Sequence, residues 1–229
     1  MKQEFIFLGP PASGKGTQTE LLAKELNLPH VDTGSMLRAA IKNGSEEGQI
    51  AKSYMDKGAL VPAEIVVQII KNRLKEADCN NGFILDGYPR SLEQAKFLDE
   101  ILEEINQNEE TKILVIRIDV AKEFLLDRIL NRRFCSKCGK IYNLKNSAPK
   151  VENTCDVCAG ELAIRNDDTE EVATKRFETY TNETGTIYDA KLAVITEVVV
   201  NGGDVDAAMQ TYVDTVGSII DKCLTELNQ

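Results

Sequence analysis

Four short apolar runs stand out along the chain: residues 3–8, Phe83-Ile84-Leu85, Ile113-Leu114-Val115-Ile116-Arg117-Ile118, and residues 195–200. Each is short and continuously apolar, the pattern of a strand buried on both faces. Apolar residues recur at helical spacing over 13–26, where Leu21, Leu22 and Leu26 share one side, and again over 62–75, 91–105, 120–132, 169–182 and 204–225. Buried strands alternating with helices predict the α/β class, a doubly wound parallel sheet with right-handed crossovers and helices on both faces. Two stretches break the rhythm. Residues 32–61 read as short helical pieces separated by Gly34, Gly44, Gly48 and Gly58, and residues 133–168 hold four cysteines, Pro149 and several asparagines. Both look like insertions at the sheet edge, where binding function concentrates. The predicted division is a core of 1–31, 62–130 and 169–229 carrying insertions at 32–61 and 131–168.

Composition narrows the function classes. The chain has 229 residues, enough for one domain with small insertions, and its 27 basic and 37 acidic side chains give a net charge of −10. That balance opposes a nucleic-acid partner, which selects a basic face. No apolar run approaches the roughly 20 residues that span a bilayer. The apolar run after the first residues is too short for a secretion signal, so a cytoplasmic setting is expected. Against the acidic background, arginines gather at Arg38, Arg90, Arg128, Arg132, Arg133, Arg165 and Arg176. They suggest a local anion site. The single histidine, His30, follows Pro29 at a strand start and reads as a structural residue.

The anion site has a candidate. Gly9-Pro10-Pro11-Ala12-Ser13-Gly14-Lys15-Gly16-Thr17 follows the first strand and opens the first helix. The spacing Gly-x4-Gly-Lys is that of a phosphate-binding loop, whose glycines let backbone N–H groups turn inward onto phosphate oxygens. The helix N-terminus adds partial positive charge, and Lys15 adds a full one. Gly16 stands where Ser or Thr usually follows the lysine, with Thr17 one position later. Asp86 ends the strand Phe83-Ile84-Leu85 and faces the same crevice. It is expected to hold Mg²⁺ through water, the alternative being a turn aspartate before Gly87.

Cys135-x2-Cys138 and Cys155-x2-Cys158 are separated by 16 residues. Two such knuckles predict a tetrahedral zinc site, and four thiolates leave no open position, so the metal is expected to be structural. Iron and unmetallated thiols are the other readings. A redox pair needs one motif beside a βαβ unit, and disulfides conflict with a cytoplasmic setting. Cys79 and Cys223 read as plain thiols.

Residues 9–18, residues 32–38 (Asp-Thr-Gly-Ser-Met-Leu-Arg), residues 86–90 (Asp-Gly-Tyr-Pro-Arg) and residues 165–168 (Arg-Asn-Asp-Asp) resemble, in order and spacing, the signature segments of the adenylate kinase family. The cysteine-bearing insertion resembles the zinc-containing lid of that family's bacterial long form. The resemblance implies a P-loop kinase core with a monophosphate-binding helical segment and a zinc-ribbon-like lid. It implies transfer of the γ-phosphoryl of ATP to AMP with Mg²⁺, giving two ADP. Gly9, Ala12, Ser13, Gly14, Lys15, Gly16 and Thr17 would then hold the ATP phosphates. Arg132, Ile141 and Tyr142 would hold the rest of ATP, with Arg128 stacked on its base. Thr33, Arg38, Ala59, Leu60, Val61, Gly87, Tyr88, Pro89, Arg90 and Gln94 would contact AMP. Arg165 and Arg176 would bridge from AMP toward the transferring phosphoryl. The implied catalytic set is Lys15, Arg90, Arg128, Arg132, Arg165 and Arg176. The implied partners are ATP, AMP and ADP, with neither nucleic acid nor membrane, and the implied state is a monomer. Ser35 stands where the family usually carries an acid that helps order magnesium water. The alternatives are a UMP or CMP kinase, a GTP-dependent AMP kinase, and a catalytically silent nucleotide-binding zinc module.

Overall fold

The computed structural model describes residues 2–107, 111–189 and 195–200. The helix expected over 204–225, and Cys223 within it, lie outside these. Strands β1 (Lys2–Leu8), β2 (His30–Asp32), β3 (Gly82–Asp86), β4 (Thr111–Val120) and, late in the chain, β8 (Ile195–Val200) form one parallel sheet in the order β2-β3-β1-β4-β8. Between them run α1 (Lys15–Leu26), α2 (Thr33–Asn43), α3 (Glu46–Met55), α4 (Ala63–Leu74), α5 (Leu92–Ile105), α6 (Lys122–Leu130) and α7 (Glu170–Thr179).

The two-residue period of β1 divides the core. Ile6 and Leu8 join Phe83, Leu85 and Val115 under α2–α5, with Leu37, Ala51, Ile70, Leu98 and Ile101 packed above them. Phe5 and Phe7 face the other way, with Ile84, Leu114 and Ile116 against Leu22 of α1, Ile129 of α6 and Phe177 of α7. Both faces of the central strand are thus covered, which is why its sequence is a continuous apolar run. One strand showed in the sequence only as a strand start at His30, without an apolar run. At three residues β2 is too short to show a period, and its place is set by pairing with β3, His30 opposite Ile84 and Asp32 opposite Asp86.

The first insertion resolves into two capped helices. The Asp32 side chain caps α2 by accepting from the Gly34 N–H at 2.9 Å, and Ser45 caps α3 by accepting from Gly48 N–H at 3.0 Å. Gly34 and Gly48 therefore lie inside first turns rather than between helical pieces. Gly48 is a packing residue: a β-carbon there would meet the Ala40 carbonyl oxygen of α2 at 2.3 Å. The second insertion forms a separate antiparallel sheet of β5 (Arg132–Cys135), β6 (Ile141–Asn143) and β7 (Leu162–Ala163), in the order β6-β5-β7.

Element edges shift where the site intrudes. Helix α1 starts at Lys15, since Ser13 and Gly14 belong to the loop, and α6 ends at Leu130, where the chain turns into β5. After α7 the chain widens into a broader turn over Tyr180–Thr184, closed by the Gly185 N–H donating to the Tyr180 carbonyl. Such widened turns often mark functional sites, and Tyr180 and Thr184 both line the central cleft.

Candidate functional site

The loop between β1 and α1 has the backbone of an anion cradle. Gly9 sits at φ 151°, Ala12 at 61° and Gly14 at 98°, and a β-carbon on Gly9 would meet the Ile118 carbonyl oxygen at 2.4 Å. Only glycine fits there. Gly14 brings no side-chain cap to α1, so the first-turn N–H groups are left for an incoming oxyanion. Lys15 folds over the loop, its Nζ donating to the Gly9 carbonyl at 2.7 Å and the Pro10 carbonyl at 2.9 Å. Burial pulls its ammonium down to about 8, against the opposing pull of Asp86.

Loop, first insertion and lid enclose one cleft of 660 Å³. Every residue expected to contact nucleotide lines it: Gly9 and Ala12 to Thr17 of the loop, Thr33, Arg38, Ala59, Leu60, Val61, Gly87, Tyr88, Pro89, Arg90, Gln94, Arg128, Arg132, Ile141, Tyr142, Arg165 and Arg176, together with Asp86. Eight lysines and arginines line it against five carboxylates, in a chain whose net charge is −10. The anion-binding character is local, as the clustering of arginines suggested.

Two classes of cation emerge. Arg132 makes a two-pronged bond to Asp168, Nε to Oδ2 at 2.8 Å, and Arg176 pairs with Asp167 at 2.8 Å. Arg90 and Arg165 have no carboxylate within ion-pair distance among the described residues. Arg90 is held by donating from Nε to the Gly87 carbonyl at 2.6 Å, and Gln94 fixes its backbone by accepting its N–H at 2.8 Å. Arg165 lies 6.0 Å from the Phe134 ring centroid. Burial pulls its guanidinium down to about 10, and Arg132 and Arg38 add to that. Even half-buried charge without an ion-pair partner is costly, so this cleft is suited to receive anions. Nearby, the Thr33 hydroxyl is buried with no hydrogen-bond partner, an orphan polar atom at the end where a monophosphate was expected.

Asp86 lies beside the loop: a β-carbon on Gly16 would stand 3.4 Å from its Oδ2. A hard carboxylate oxygen next to a phosphate cradle fits magnesium held through its water shell. Sequence reasoning missed the company Asp86 keeps. His30 Nε2 stands 3.4 Å from Asp86 Oδ2 and 2.9 Å from Thr19 Oγ1. Burial pulls the His30 ring down, but the Asp86 carboxylate more than offsets this and its pKa is raised. Asp32 was missed as well. It accepts from the Ser35 hydroxyl and reaches Arg38 at 3.5 Å, while Ser35 Oγ accepts from Arg38 at 2.9 Å. Burial pushes the Asp32 carboxyl up, and Arg38 and Ser35 more than reverse that, leaving it below its ordinary value. The consecutive acids Asp167 and Asp168, one residue beyond Asn166, were the available signal for the arginine clamps.

In the lid, the sulfur atoms of Cys135, Cys138, Cys155 and Cys158 all lie within 4.8 Å of one another, with Cys135–Cys158 at 3.5 Å and Cys138–Cys155 at 3.6 Å. A tetrahedral site with metal–sulfur bonds of about 2.3 Å has sulfur–sulfur edges of roughly 3.8 Å, so the donor set fits one metal ion. Cys155 is held at about 6, chiefly by the Tyr142 hydroxyl.

A parallel sheet with a phosphate loop at its first turn, a cation-lined cleft and two insertions over that cleft define a P-loop nucleotide kinase. A family model described as adenylate kinase matches residues 7–191. The chain is 48% identical over 184 residues to an adenylate kinase of Caldicellulosiruptor bescii, covering 80% of this chain and 84% of that one. It is 47% identical over 179 residues to that of Clostridium tetani (78% and 82%) and 47% identical over 184 residues to that of Archaeoglobus fulgidus (80% and 83%). The chain belongs to the adenylate kinase family.

Proposed function

We propose that the protein carries out its family's reaction, moving the γ-phosphoryl of ATP onto AMP to give two ADP, and that the cleft residues act as follows. Lys15 and the loop grip the ATP phosphates, with Arg128 on the base and Arg132, Ile141 and Tyr142 on the rest of ATP. Thr33, Arg38, Arg90, Gln94 and the segments 59–61 and 87–90 seat AMP. Arg165 and Arg176 span the two. The bond between the γ-phosphorus and the β-bridging oxygen breaks as a bond to an AMP phosphate oxygen forms. That acceptor oxygen has a second pKa near 6 and is already ionised, so no general base is required. The work left is alignment of two anions and stabilisation of charge, which planar, permanently charged arginines supply. Asp86 would hold the water shell of the magnesium that accompanies ATP, which would supply neutralisation of phosphate charge. The observation that carries this reading is the set of four half-buried cations, Lys15, Arg90, Arg128 and Arg165, that line one cleft with no carboxylate at ion-pair distance among the described residues. We assign residues 32–61 to AMP and 131–168 to a lid stapled by zinc, whose closure keeps water from the phosphoryl group. Four thiolates on one metal need a reducing compartment, which supports a cytoplasmic protein. No described helix is long and apolar enough to cross a membrane. We take the active form as a monomer.

The test is ADP formation from ATP plus magnesium with AMP, CMP, UMP or GMP in turn, repeated with GTP as donor. Product with ATP and AMP alone supports the assignment. Equal turnover with a pyrimidine monophosphate, or none with any acceptor despite ATP binding, overturns it. Arg90→Ala is expected to lower turnover at least about tenfold with an unchanged circular dichroism spectrum, and unchanged turnover would remove Arg90 from the acceptor site.

Lys15 gives a pH signature. With its pKa pulled down to about 8, the lysine of the free protein is charged below that pH and neutral above it. Phosphate binding needs the charged form, so ATP affinity should hold steady from pH 7 to 8 and then weaken, by up to about tenfold per unit. Titration calorimetry between pH 7 and 9.5 checks the slope, and Lys15→Met should bind weakly without it.

A further inference from the structure

We propose that Tyr142 positions the lid metal, its hydroxyl donating a hydrogen bond to the metal-bound Cys155 sulfur and so tying the nucleotide-facing strand β6 to the cysteine cluster. The inference rests on the zinc reading above and goes beyond the nucleotide contact expected of this residue.

Tyr142 is the middle residue of β6 and lines the cleft with its neighbours, but it is buried at 5% exposure while Ile141 and Asn143 on either side are only half-buried. The pleat accounts for this, since successive side chains of a strand point to opposite faces. The ring packs with Cys135, Cys155 and Leu162, the small core of the lid. Its hydroxyl oxygen lies 3.3 Å from Cys155 Sγ and accepts the Asp156 backbone N–H at 2.8 Å. That second bond fixes the polarity of the first. The oxygen is already serving as an acceptor, and a metal-bound thiolate has no proton to give. The hydroxyl proton therefore points at sulfur. Among the described residues no other side chain outside the four cysteines donates to the cluster; the other donors are backbone N–H groups, among them Cys138 onto Cys135 at 3.5 Å and Val157 onto Cys155 at 3.4 Å.

The physical consequence is twofold. Four thiolates around one divalent ion carry a net charge of −2, and each donor aimed at a sulfur spreads that charge and holds the ligand in its orientation. The same side chain also joins two pieces of chain. β6 is paired to β5, with Arg133 opposite Tyr142 and Arg132 opposite Asn143. A shift of the second cysteine knuckle would thus be transmitted, through one hydroxyl, to the strands that carry Arg132 and Ile141.

The test is Tyr142→Phe in the full chain, which removes one oxygen and keeps the ring. Zinc stoichiometry is measured first, then affinity by competition with a chromophoric chelator. The expected result is one zinc per chain in both proteins, with affinity about 10- to 100-fold weaker in the variant. Cobalt-loaded samples give a second readout: the sulfur-to-cobalt charge-transfer band should move to lower energy when the hydrogen bond is lost. Unchanged affinity and an unmoved band overturn the proposal. A zinc-loaded variant that fails to fold also overturns it, in favour of a purely structural tyrosine. A wild-type chain that takes up no zinc overturns the zinc reading itself and this inference with it, which separates the two failures.

Discussion

Arg165→Ala is expected to lower turnover about 10³-fold, with a much smaller change in the KM for ATP. The magnitude is that of removing an arginine that meets the charge of a phosphoryl group in flight, about 4 kcal/mol of transition-state stabilisation. Arg165 is singled out because of how its neighbours are used. Asp168 holds Arg132 and Asp167 holds Arg176, so two of the three arginines are oriented by carboxylates that also offset their charge. Arg165 has the Phe134 face beside it and no carboxylate at ion-pair distance among the described residues, and burial, Arg132 and Arg38 disfavour its charged state more than the more distant Asp168 and Asp167 favour it. The missing counter-charge is what the nucleotides bring. The same argument predicts the sign of a second effect. Removing a repelled, half-buried cation should leave the melting temperature unchanged or raise it, as happens where function is held at a cost in stability. Arg165→Lys should recover little turnover, because an ammonium cannot present the planar fork. Steady-state kinetics and a thermal melt check both. Turnover within threefold of the parent would place Arg165 outside the phosphoryl path.

Much of this was legible from residues alone, and the limits follow a physical line. The phosphate loop was readable because its chemistry is local: tight turn, glycines and lysine are consecutive, and the strand before and helix after are strong signals. The cysteine knuckles were readable for the same reason. What escaped depended on contacts between distant segments. His30 looked like strand filler because nothing nearby in sequence explains it; its partners, Thr19 and Asp86, lie 11 and 56 residues away. Strand β2 is fixed by its pairing with β3 and not by its own three residues. Gly34 and Gly48 were read as breaks, yet capping by Asp32 and Ser45 carries both helices through them. Arg132 and Arg176 were expected at the site, but their difference from Arg165 was invisible until Asp167 and Asp168 were seen to choose between them. Tyr142 was expected at the nucleotide and does line the cleft, but the contact of its hydroxyl with Cys155, 13 residues further on, was not visible in the sequence.

Cys155→Ser should release the metal and melt the lid well below the temperature at which the sheet unfolds. The lid's own core comprises Cys135, Tyr142, Cys155 and Leu162, with Cys158 packed against it. A segment this small buries too little apolar surface to hold one conformation, so most of its stability must come from the staple. Metal binding to short zinc modules is worth about 10–16 kcal/mol, more than the two non-ligand side chains of this core, Tyr142 and Leu162, contribute through burial at about 1.5–3 kcal/mol each. The main sheet does not depend on the staple, since its two apolar layers lie elsewhere. Calorimetry should therefore split one transition into two, the earlier one small. A strong chelator should do the same to the parent protein, and a thiol reductant should not, which distinguishes a metal from disulfides. Turnover should fall with lid order, because Arg132 begins β5 and Arg165 follows β7, so both arginines ride on the stapled unit. An identical melting curve and no bound zinc in the parent would mean that the four sulfurs are plain thiols, and that contacts to the body of the protein hold the lid arginines in place.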